Sequence, residues 1–352
     1  MPNGRDIYFI TLENISDYNL DEEEITEEVL INRVLLNLRL SKNEKSLEKR
    51  VMLLNNCFLT FKKFKGNVPY ELLFNVYGEA IKLNCLYDLE YANSLLNEII
   101  DIFENNIEET IKYSKDLYFM LFIMTKILYN KQNYDLLTEV VDKAINLVEK
   151  VDYNDYVRLY YAQIIQLYGN VLFREEHMQD AYEVFNNAFD IALSISNEVK
   201  EKKDVIGAIS FSRGNLLYQN DVLKEAKKDF EYVIKLCLNY EFESKFELMH
   251  LAYNYLSQVE VYSNEYDKGI DTISEYLEVT KDLYSGDEYD YICADFYHRL
   301  GIIYYKFKED KVNAIIYFNN ALQLINSIEN KSDLILSLYE SVNTYLEAIK
   351  NK

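Results

Sequence analysis

The side chains in this 352-residue chain that could carry chemistry are three histidines, four cysteines and many carboxylates. No two histidines have the close helical spacing, such as His-x3-His, that a metal site needs, and no Cys-x2-Cys pair occurs. The cysteines are therefore expected to be small buried side chains in a reducing compartment. Phosphate-binding glycine loops and the Gly-x-Ser-x-Gly nucleophile motif are also missing from the sequence. The sequence predicts a protein with no metal, no cofactor and no enzymatic activity.

Amide side chains recur instead at a nearly constant interval. Asn170, Asn215 and Gln258 are separated by 45 and 43 residues. An amide group carries both a hydrogen-bond donor and an acceptor, so a row of amides can pair with the main chain of an extended peptide. Such a row requires structural elements that repeat at the same interval.

The stretch from Ile165 to Ala192 contains one such element. It has the pattern of two helices joined by a tight turn, with Gly169 in the first helix and Ala181, Phe185 and Ala188 on one stripe of the second. Small residues at these points let two helices approach closely, and the phenylalanine fills the wedge between them. Equivalent second-helix positions recur every 43 to 45 residues, at Ala92, Leu137, Ala181, Ala226, Gly269 and Ala314. Each of these anchors is followed by an apolar residue four positions later and by another seven positions later.

The last unit is the clearest, with Tyr297, Leu300, Gly301 and Tyr304 in its first helix. This pattern resembles a tetratricopeptide (TPR) hairpin, whose consensus contains W-x2-L-G-x2-Y and A-x3-F. The period of about 44 residues exceeds the usual TPR length of about 34, which implies longer helices or turns. The predicted fold is all-α: a TPR-like α-solenoid of about six to seven helical hairpins with a ~44-residue period, capped by a final helix over 334–349.

The N-terminal region is predicted to be a separate segment, residues 1–66, ahead of a TPR-like domain over residues 67–352. The boundary rests on the helix-breaking sequence Gly66 to Pro69. Before it, Asp21 and Glu24 fit a capping box at the start of a helix. The apolar face of that helix consists of Ile25, Val29, Leu36 and Leu40. A second helix follows, and its apolar face consists of Leu47, Val51, Leu54, Phe58 and Phe61.

Charge is distributed unevenly along the chain. The formal charge is −22, yet the segment 33–65 has nine Lys or Arg and two Glu, leaving −29 for the rest. A strongly acidic body repels nucleic acid and anionic membranes, so residues 33–65 are the one segment that could bind nucleic acid. The sequence shows no signal peptide and no stretch of the roughly 20 apolar residues that a membrane helix needs. A cytoplasmic location is expected.

The TPR resemblance implies that the residue after each small first-helix residue faces a concave binding surface. We expect these positions, together with nearby cationic, aromatic and polar side chains, to bind a peptide or a partner protein. The expected residues are Lys126, Gln166, Asn170, Arg174, Phe211, Asn215, Asn254, Gln258, His298 and Arg299. The expected partner is a peptide or a protein, and the sequence leaves a homodimer open.

Length, helicity and these asparagines together resemble the bacterial peptide-pheromone receptors of the Rap, NprR, PlcR and PrgX type. The resemblance implies a quorum-sensing-like regulator whose TPR-like domain binds a short peptide. Residues 1–66 depart from that family, because they show no helix-turn-helix pattern and contain no glutamine. Two alternatives therefore remain: a nucleic-acid-binding regulator acting through residues 33–65, and an assembly scaffold with no small ligand.

Overall fold

The computed structural model describes residues 26–351, and every regular element in this range is a helix. The chain divides into two compact units, one that ends at Val199 and one that begins at Lys200. The helices of the first unit are α1 (Glu27–Asn43), α2 (Leu47–Lys63), α3 (Tyr70–Asn84), α4 (Leu89–Asn105), the one-turn α5 (Ile107–Thr110), α6 (Ser114–Asn130), α7 (Tyr134–Leu147), α8 (Asp155–Arg174) and α9 (Met178–Ser194). Those of the second unit are α10 (Lys202–Gln219), α11 (Leu223–Asn239), α12 (Lys245–Tyr262), α13 (Tyr266–Thr280), α14 (Asp287–Lys306), α15 (Lys311–Ser327) and α16 (Asp333–Lys350).

The long helices pair into hairpins, and these confirm the predicted TPR-like solenoid. The pairs are α1–α2, α3–α4, α6–α7, α8–α9, α10–α11, α12–α13 and α14–α15. The anchor position of each predicted second helix, and the positions four and seven residues after it, are all buried in the structure. The period of the sequence therefore corresponds to the spacing of the buried positions that form the hydrophobic core of each hairpin.

The turn inside each hairpin carries the same period. Within the described part of the chain, five non-glycine residues have left-handed backbone with φ between 52° and 65°, at intervals of 43 to 45 residues: Gln132, Glu176, Asp221, Asn264 and Glu309. Each lies in the turn between the two helices of a hairpin, where the chain must reverse direction after the first helix. At Glu176 the helix ends in a Schellman-type arrangement, since the next N–H, from His177, donates to the Leu172 carbonyl at 2.9 Å.

Close helix contact at the small residues is also confirmed. A Cβ added to Gly169, Gly214 or Gly301 would lie 2.7, 2.9 or 2.5 Å from a phenylalanine ring of the paired helix. Real Cβ atoms do not approach so closely. Each glycine therefore leaves room for the ring that fills its hairpin, namely Phe185, Phe230 and Phe318.

The last helix, α16, closes the core of the second unit as predicted. Its buried residues Ile335, Leu338 and Val342 belong to one cluster with Ala314 and Phe318 of α15. Leu336 and Tyr339 on the opposite face of α16 are exposed.

The first hairpin differs from expectation on one helix. On α2 the predicted apolar face is buried, with Leu54 and Phe58 fully enclosed. On α1 the predicted face was wrong: Leu36 and Leu40 are 58% and 47% exposed. The buried stripe is instead Leu30, Val34, Leu38 and Ser41.

The start of α1 is defined by a side-chain cap. Its N-cap in the structure is Thr26, whose hydroxyl accepts a hydrogen bond from the Val29 N–H at 3.4 Å. The predicted capping box of Asp21 and Glu24 lies outside the described residues. At the other end of the hairpin, Pro69 occupies the N-cap of α3 as predicted, while the division at residue 66 into two functional segments stays a prediction.

All four cysteines are buried and unbridged, as expected. Burial raises the pKa of the Cys57 and Cys85 thiols to about 12, so they are protonated and unreactive at neutral pH. Within residues 26–351, no helix is both long enough and apolar enough to span a membrane.

Candidate functional site

A cavity of about 210 Å³ opens in the second unit between α12 and α14. Its wall is largely apolar, and its polar members include two of the predicted site residues, Gln258 and Arg299. The lining residues are Ser257, Gln258, Val261, Tyr262, Ile273, Arg299, Ile302, Ile303 and Phe307. A pocket with an apolar wall and a few polar groups is the usual form of a ligand site.

A chain of hydrogen bonds fixes the polar rim of this cavity. The Tyr218 hydroxyl donates to Gln258 Oε1 at 3.2 Å, and Gln258 Nε2 donates to Asn254 Oδ1 at 2.7 Å. Asn254 and Gln258 lie one turn apart on α12, so helix geometry alone brings their amides together. Burial, with a contribution from Tyr262, raises the pKa of Tyr218 to about 12, which keeps its hydroxyl a donor at neutral pH.

Among the described residues that line the cavity, Arg299 is the only charged one. Its Nε donates to Asp295 Oδ2 at 2.7 Å, one turn earlier on α14, and the two side chains are 29% and 25% exposed. This bond uses one edge of the guanidinium group. The group carries five N–H donors, and its remaining edge has the fork geometry that matches a carboxylate.

Aromatic rings extend the site from α12 to α10. Tyr255 makes edge contacts with Phe211 and with Tyr218, each at a centroid distance of 5.5 Å. Tyr218 also lies 6.0 Å from the ring of Tyr262, which is 67% exposed. The predicted Phe211 therefore supports the rings behind the hydrogen-bonded rim.

Asn215, on α10, is half-buried like the other predicted amides. Its Oδ1 is buried and accepts no hydrogen bond from the described residues. A peptide N–H can reach this oxygen only after the Asn215 side chain rotates, whereas the Nδ2 group is a donor to a peptide carbonyl. An unpaired buried acceptor costs about 1–3 kcal/mol, which a ligand N–H would recover after that rotation.

His298 does not face the surface as its place in the repeat suggested. It is 9% exposed, its Nε2 lies 3.0 Å from the Ser341 hydroxyl of α16, and its ring packs near Phe318 and Tyr345. Burial, the largest effect, lowers the pKa of its imidazole. The repeat pattern could not predict this burial, because the cap helix α16 covers the position in the last repeat and has no counterpart in the earlier repeats. His298 belongs to the core under the cap.

The remaining predicted residues lie in the first unit. Lys126 is exposed, with its Nζ 5.9 Å from the Phe122 ring. Arg174 is also exposed; it donates to the Tyr134 hydroxyl at 3.1 Å and lies over the Tyr129 ring. Gln166 and Asn170 are half-buried one turn apart on α8. Arg174 thus links the end of α8 to the turn of the preceding hairpin.

Sequence reasoning missed three residues that shape the cavity: Tyr218, Tyr262 and Phe307. The two tyrosines come four and five residues after the small first-helix positions Gly214 and Ser257, so the repeat register could have identified them. Phe307 follows the end of α14, and the repeat pattern carries no signal for its position.

Ionisable groups elsewhere form ion pairs between helices. Arg213 and Asp229 form a bidentate pair, in which the carboxylate oxygens accept from Nε and Nη2 at 2.8 and 2.6 Å. Within residues 26–351, no group of three or more His, Cys, Asp or Glu could hold a metal ion.

Comparison with known proteins places the fold. No family model and no curated protein matches the chain. Among solved structures, the apo form of RapI superposes with a TM-score of 0.55 at 14% identity, covering 91% of this chain and 87% of RapI. The C-terminal part of a TPR repeat-containing protein from Cytophaga hutchinsonii gives 0.55 at 15% identity, with 87% and 98% covered. BtubC from P. vanneervenii gives 0.53 at 13% identity, with 70% and 94% covered. The chain therefore has a TPR-like fold of the type seen in Rap proteins.

Proposed function

We propose that this protein is a non-enzymatic binding protein that holds a peptide, or the extended tail of a partner protein, against helices α12 and α14. The observation that carries the proposal is the cavity itself. It combines an apolar wall with an amide rim, Asn254 and Gln258, and one guanidinium group, Arg299.

The chemistry of the lining defines the ligand. An apolar side chain of the ligand packs against Val261, Ile302 and Phe307 and is thereby removed from water. A carboxylate on the same ligand pairs with the edge of Arg299 that Asp295 does not use. The amides of Asn254 and Gln258 satisfy main-chain N–H and C=O groups. These requirements describe a short peptide with an apolar residue close to an acidic residue or to a free C-terminus.

The Rap-type fold supports a regulatory version of this proposal. In it the protein is a cytoplasmic, pheromone-type receptor, and peptide binding controls an output carried by another part of the chain. The fold alone supports this version, because identity to RapI is 14%.

The test is a display selection of random peptides against the full-length protein, followed by affinity measurements on the selected peptides. Arg299→Ala should weaken binding by about 2 kcal/mol, roughly thirtyfold in Kd, because a charge-assisted hydrogen bond is lost. Gln258→Ala should weaken it as well.

Arg158→Ala is the matched control. Arg158 is paired with Asp155 on its own helix, and both side chains are 32% exposed, close to the values for Arg299 and Asp295. Its loss should leave peptide affinity unchanged. Equal affinity in the Arg299 and Arg158 variants would remove the cavity from the binding site.

A second candidate function, nucleic-acid binding through residues 33–65, is favoured by one observation. Seven of the nine cationic side chains in this segment are exposed: Arg33, Arg39, Lys42, Lys45, Lys49, Lys62 and Lys65. Binding of this kind weakens steeply with added salt. Absence of retention on a nucleic-acid column at low salt would reject it.

A further inference from the structure

Helix α1 has two apolar stripes on opposite faces. The inner stripe packs against the rest of the first unit through Leu30 and Val34, both fully buried. The outer stripe consists of Val29, Leu36 and Leu40, which are 37%, 58% and 47% exposed. Their spacing of seven and four residues places them on one side of the helix. Leucines at the surface in helical register are unfavourable in water, so this outer stripe is suited to a contact.

Positive charge borders the outer stripe of α1. Arg33 and Arg39 are exposed and lie on either side of it, by the angular position of each residue around the helix. The two carboxylates of the helix, Glu27 and Glu28, are in its first turn, away from Leu36 and Leu40. A complementary surface therefore needs apolar residues bordered by acidic ones.

Helix α16 presents such a surface. Its inner face is buried in the core of the second unit, while Leu336 and Tyr339 on the outer face are 45% and 40% exposed. Glu340 and Glu347 are exposed on the same face, one and three turns after Leu336. The outer face of α16 is thus apolar, with both glutamates along one of its edges.

We propose that the outer face of α1 in one molecule binds the outer face of α16 in a second molecule of this protein. Leu36 and Leu40 would pack against Leu336 and Tyr339, while the arginines of α1 face the glutamates of α16. Pairing of two α1 faces would oppose arginine to arginine, and pairing of two α16 faces would oppose glutamate to glutamate, so the contact joins unlike faces.

A contact between unlike faces is heterologous. It leaves one α1 face and one α16 face free in every pair, so further copies add and the mass continues to grow with concentration. One helix against one helix buries less than the roughly 1,200 Å² of a standard interface, so the association should be weak. The apolar centre favours a protein partner over nucleic acid, because leucines contribute nothing to phosphate binding.

Sedimentation velocity of the full-length protein over a wide concentration range tests this proposal. We expect the average mass of the wild type to rise with concentration beyond that of a dimer. Leu36→Asp puts an acid opposite the glutamates of α16, and Leu336→Lys puts a cation opposite the arginines of α1. Each variant alone should remain monomeric, with unchanged far-UV circular dichroism because both side chains are exposed. Leu238→Asp, at a 44% exposed position on α11, is the control and should associate like the wild type.

Mixing the two variants distinguishes unlike from like faces. Leu36→Asp retains an intact α16, and Leu336→Lys retains an intact α1, so an equimolar mixture should regain association. A wild type that stays monomeric at every concentration would overturn the proposal. Association of Leu336→Lys alone, which would mean that like faces pair through α1, would overturn it too.

Discussion

Replacing Gly301 by alanine tests the packing that defines the repeat. Gly301 lies within α14, and a Cβ at this position would be 2.5 Å from Cε1 and 2.6 Å from Cδ1 of Phe318. The Phe318 ring is fully buried and cannot move into solvent. It is stacked on Tyr345 of the cap helix, with ring centroids 5.4 Å apart and planes inclined by 9°.

The size of the effect follows from two opposing terms. Carbon atoms in contact are about 3.5–4.0 Å apart, so the ring has to retreat by about 1 Å and displace Tyr345. Overpacking of this kind costs about 1–3 kcal/mol. Alanine is favoured over glycine inside a helix by about 0.5–1 kcal/mol, which offsets part of the cost. The difference is at most about 2.5 kcal/mol, and from the middle of each range we expect Gly301→Ala to lower the free energy of unfolding by about 1 kcal/mol.

Gly78 supplies the matched control. It also lies within a helix, α3, but an added Cβ would be 3.6 Å from its nearest neighbour, Met120 Cε, which is an ordinary contact. Gly78→Ala should therefore keep the helix-propensity gain and raise stability by up to about 1 kcal/mol. The same substitution of glycine by alanine is thus expected to lower stability at position 301 and to raise it at position 78.

The assay is equilibrium urea unfolding followed by far-UV circular dichroism. A double-mutant cycle with Phe318→Leu isolates the contact, because the smaller side chain relieves the overlap. We expect the double variant to be less destabilised than the sum of the two single variants by about 1 kcal/mol or more. Equal effects of Gly301→Ala and Gly78→Ala, or strict additivity in the cycle, would refute the account of the hairpin contact.

Three further predictions concern stability. Burial lowers the pKa of His250 to about 4, whereas the pKa of a histidine in the unfolded chain is about 6.5. The neutral imidazole therefore contributes to the free energy of unfolding above pH 6.5, and this contribution is lost as the pH falls toward 4. It amounts to about 3 kcal/mol, and His250→Gln should flatten this part of the pH profile of unfolding; an unchanged profile would contradict the assignment. Glu176→Gly removes the strain of a left-handed residue with φ of 65° and should stabilise by up to about 1 kcal/mol in the same urea assay, whereas destabilisation would argue against strain. Asp229→Ala removes the carboxylate that accepts from Arg213 Nε and Nη2 and should cost roughly 3 kcal/mol, whereas a loss below about 1 kcal/mol would show that the pair is solvated.

The repeat could be predicted because its packing is local in sequence. Gly169 and Phe185 belong to one hairpin, and the same pairing of a glycine with a phenylalanine ring recurs in two later hairpins. The anchor positions follow the same logic, and all are buried. The hairpin turns were also predictable, because each falls at a fixed distance from these residues.

The orientation of α1 could not be predicted in the same way. This helix has two apolar stripes, and periodicity alone ranks Leu36 and Leu40 as highly as Leu30 and Val34. Which stripe is buried depends on α2 and α3, which pack against one side only. The misplacement of His298 has a similar origin, since only the cap helix distinguishes its repeat from the others.

The candidate site was predictable in part. The register of the repeat identified Gln258 and Arg299, which line one cavity, and Asn254, which is bonded to Gln258. It did not identify the cavity, because the volume depends on Tyr262 at the end of α12 and on Phe307 beyond the end of α14. End-of-helix geometry is set by turns and lies outside a helical pattern.

The central claim is that the protein carries a peptide or a partner's tail in the cavity between α12 and α14. Native mass spectrometry of the full-length protein, purified gently from the cells that make it, tests this most directly. We expect the wild type and Arg158→Ala to retain an added mass that fragments as a peptide, or a stoichiometric protein partner, and Arg299→Ala to lose it. A wild-type protein found at its bare mass with no partner, or a bound species that Arg299→Ala retains in full, would contradict the account.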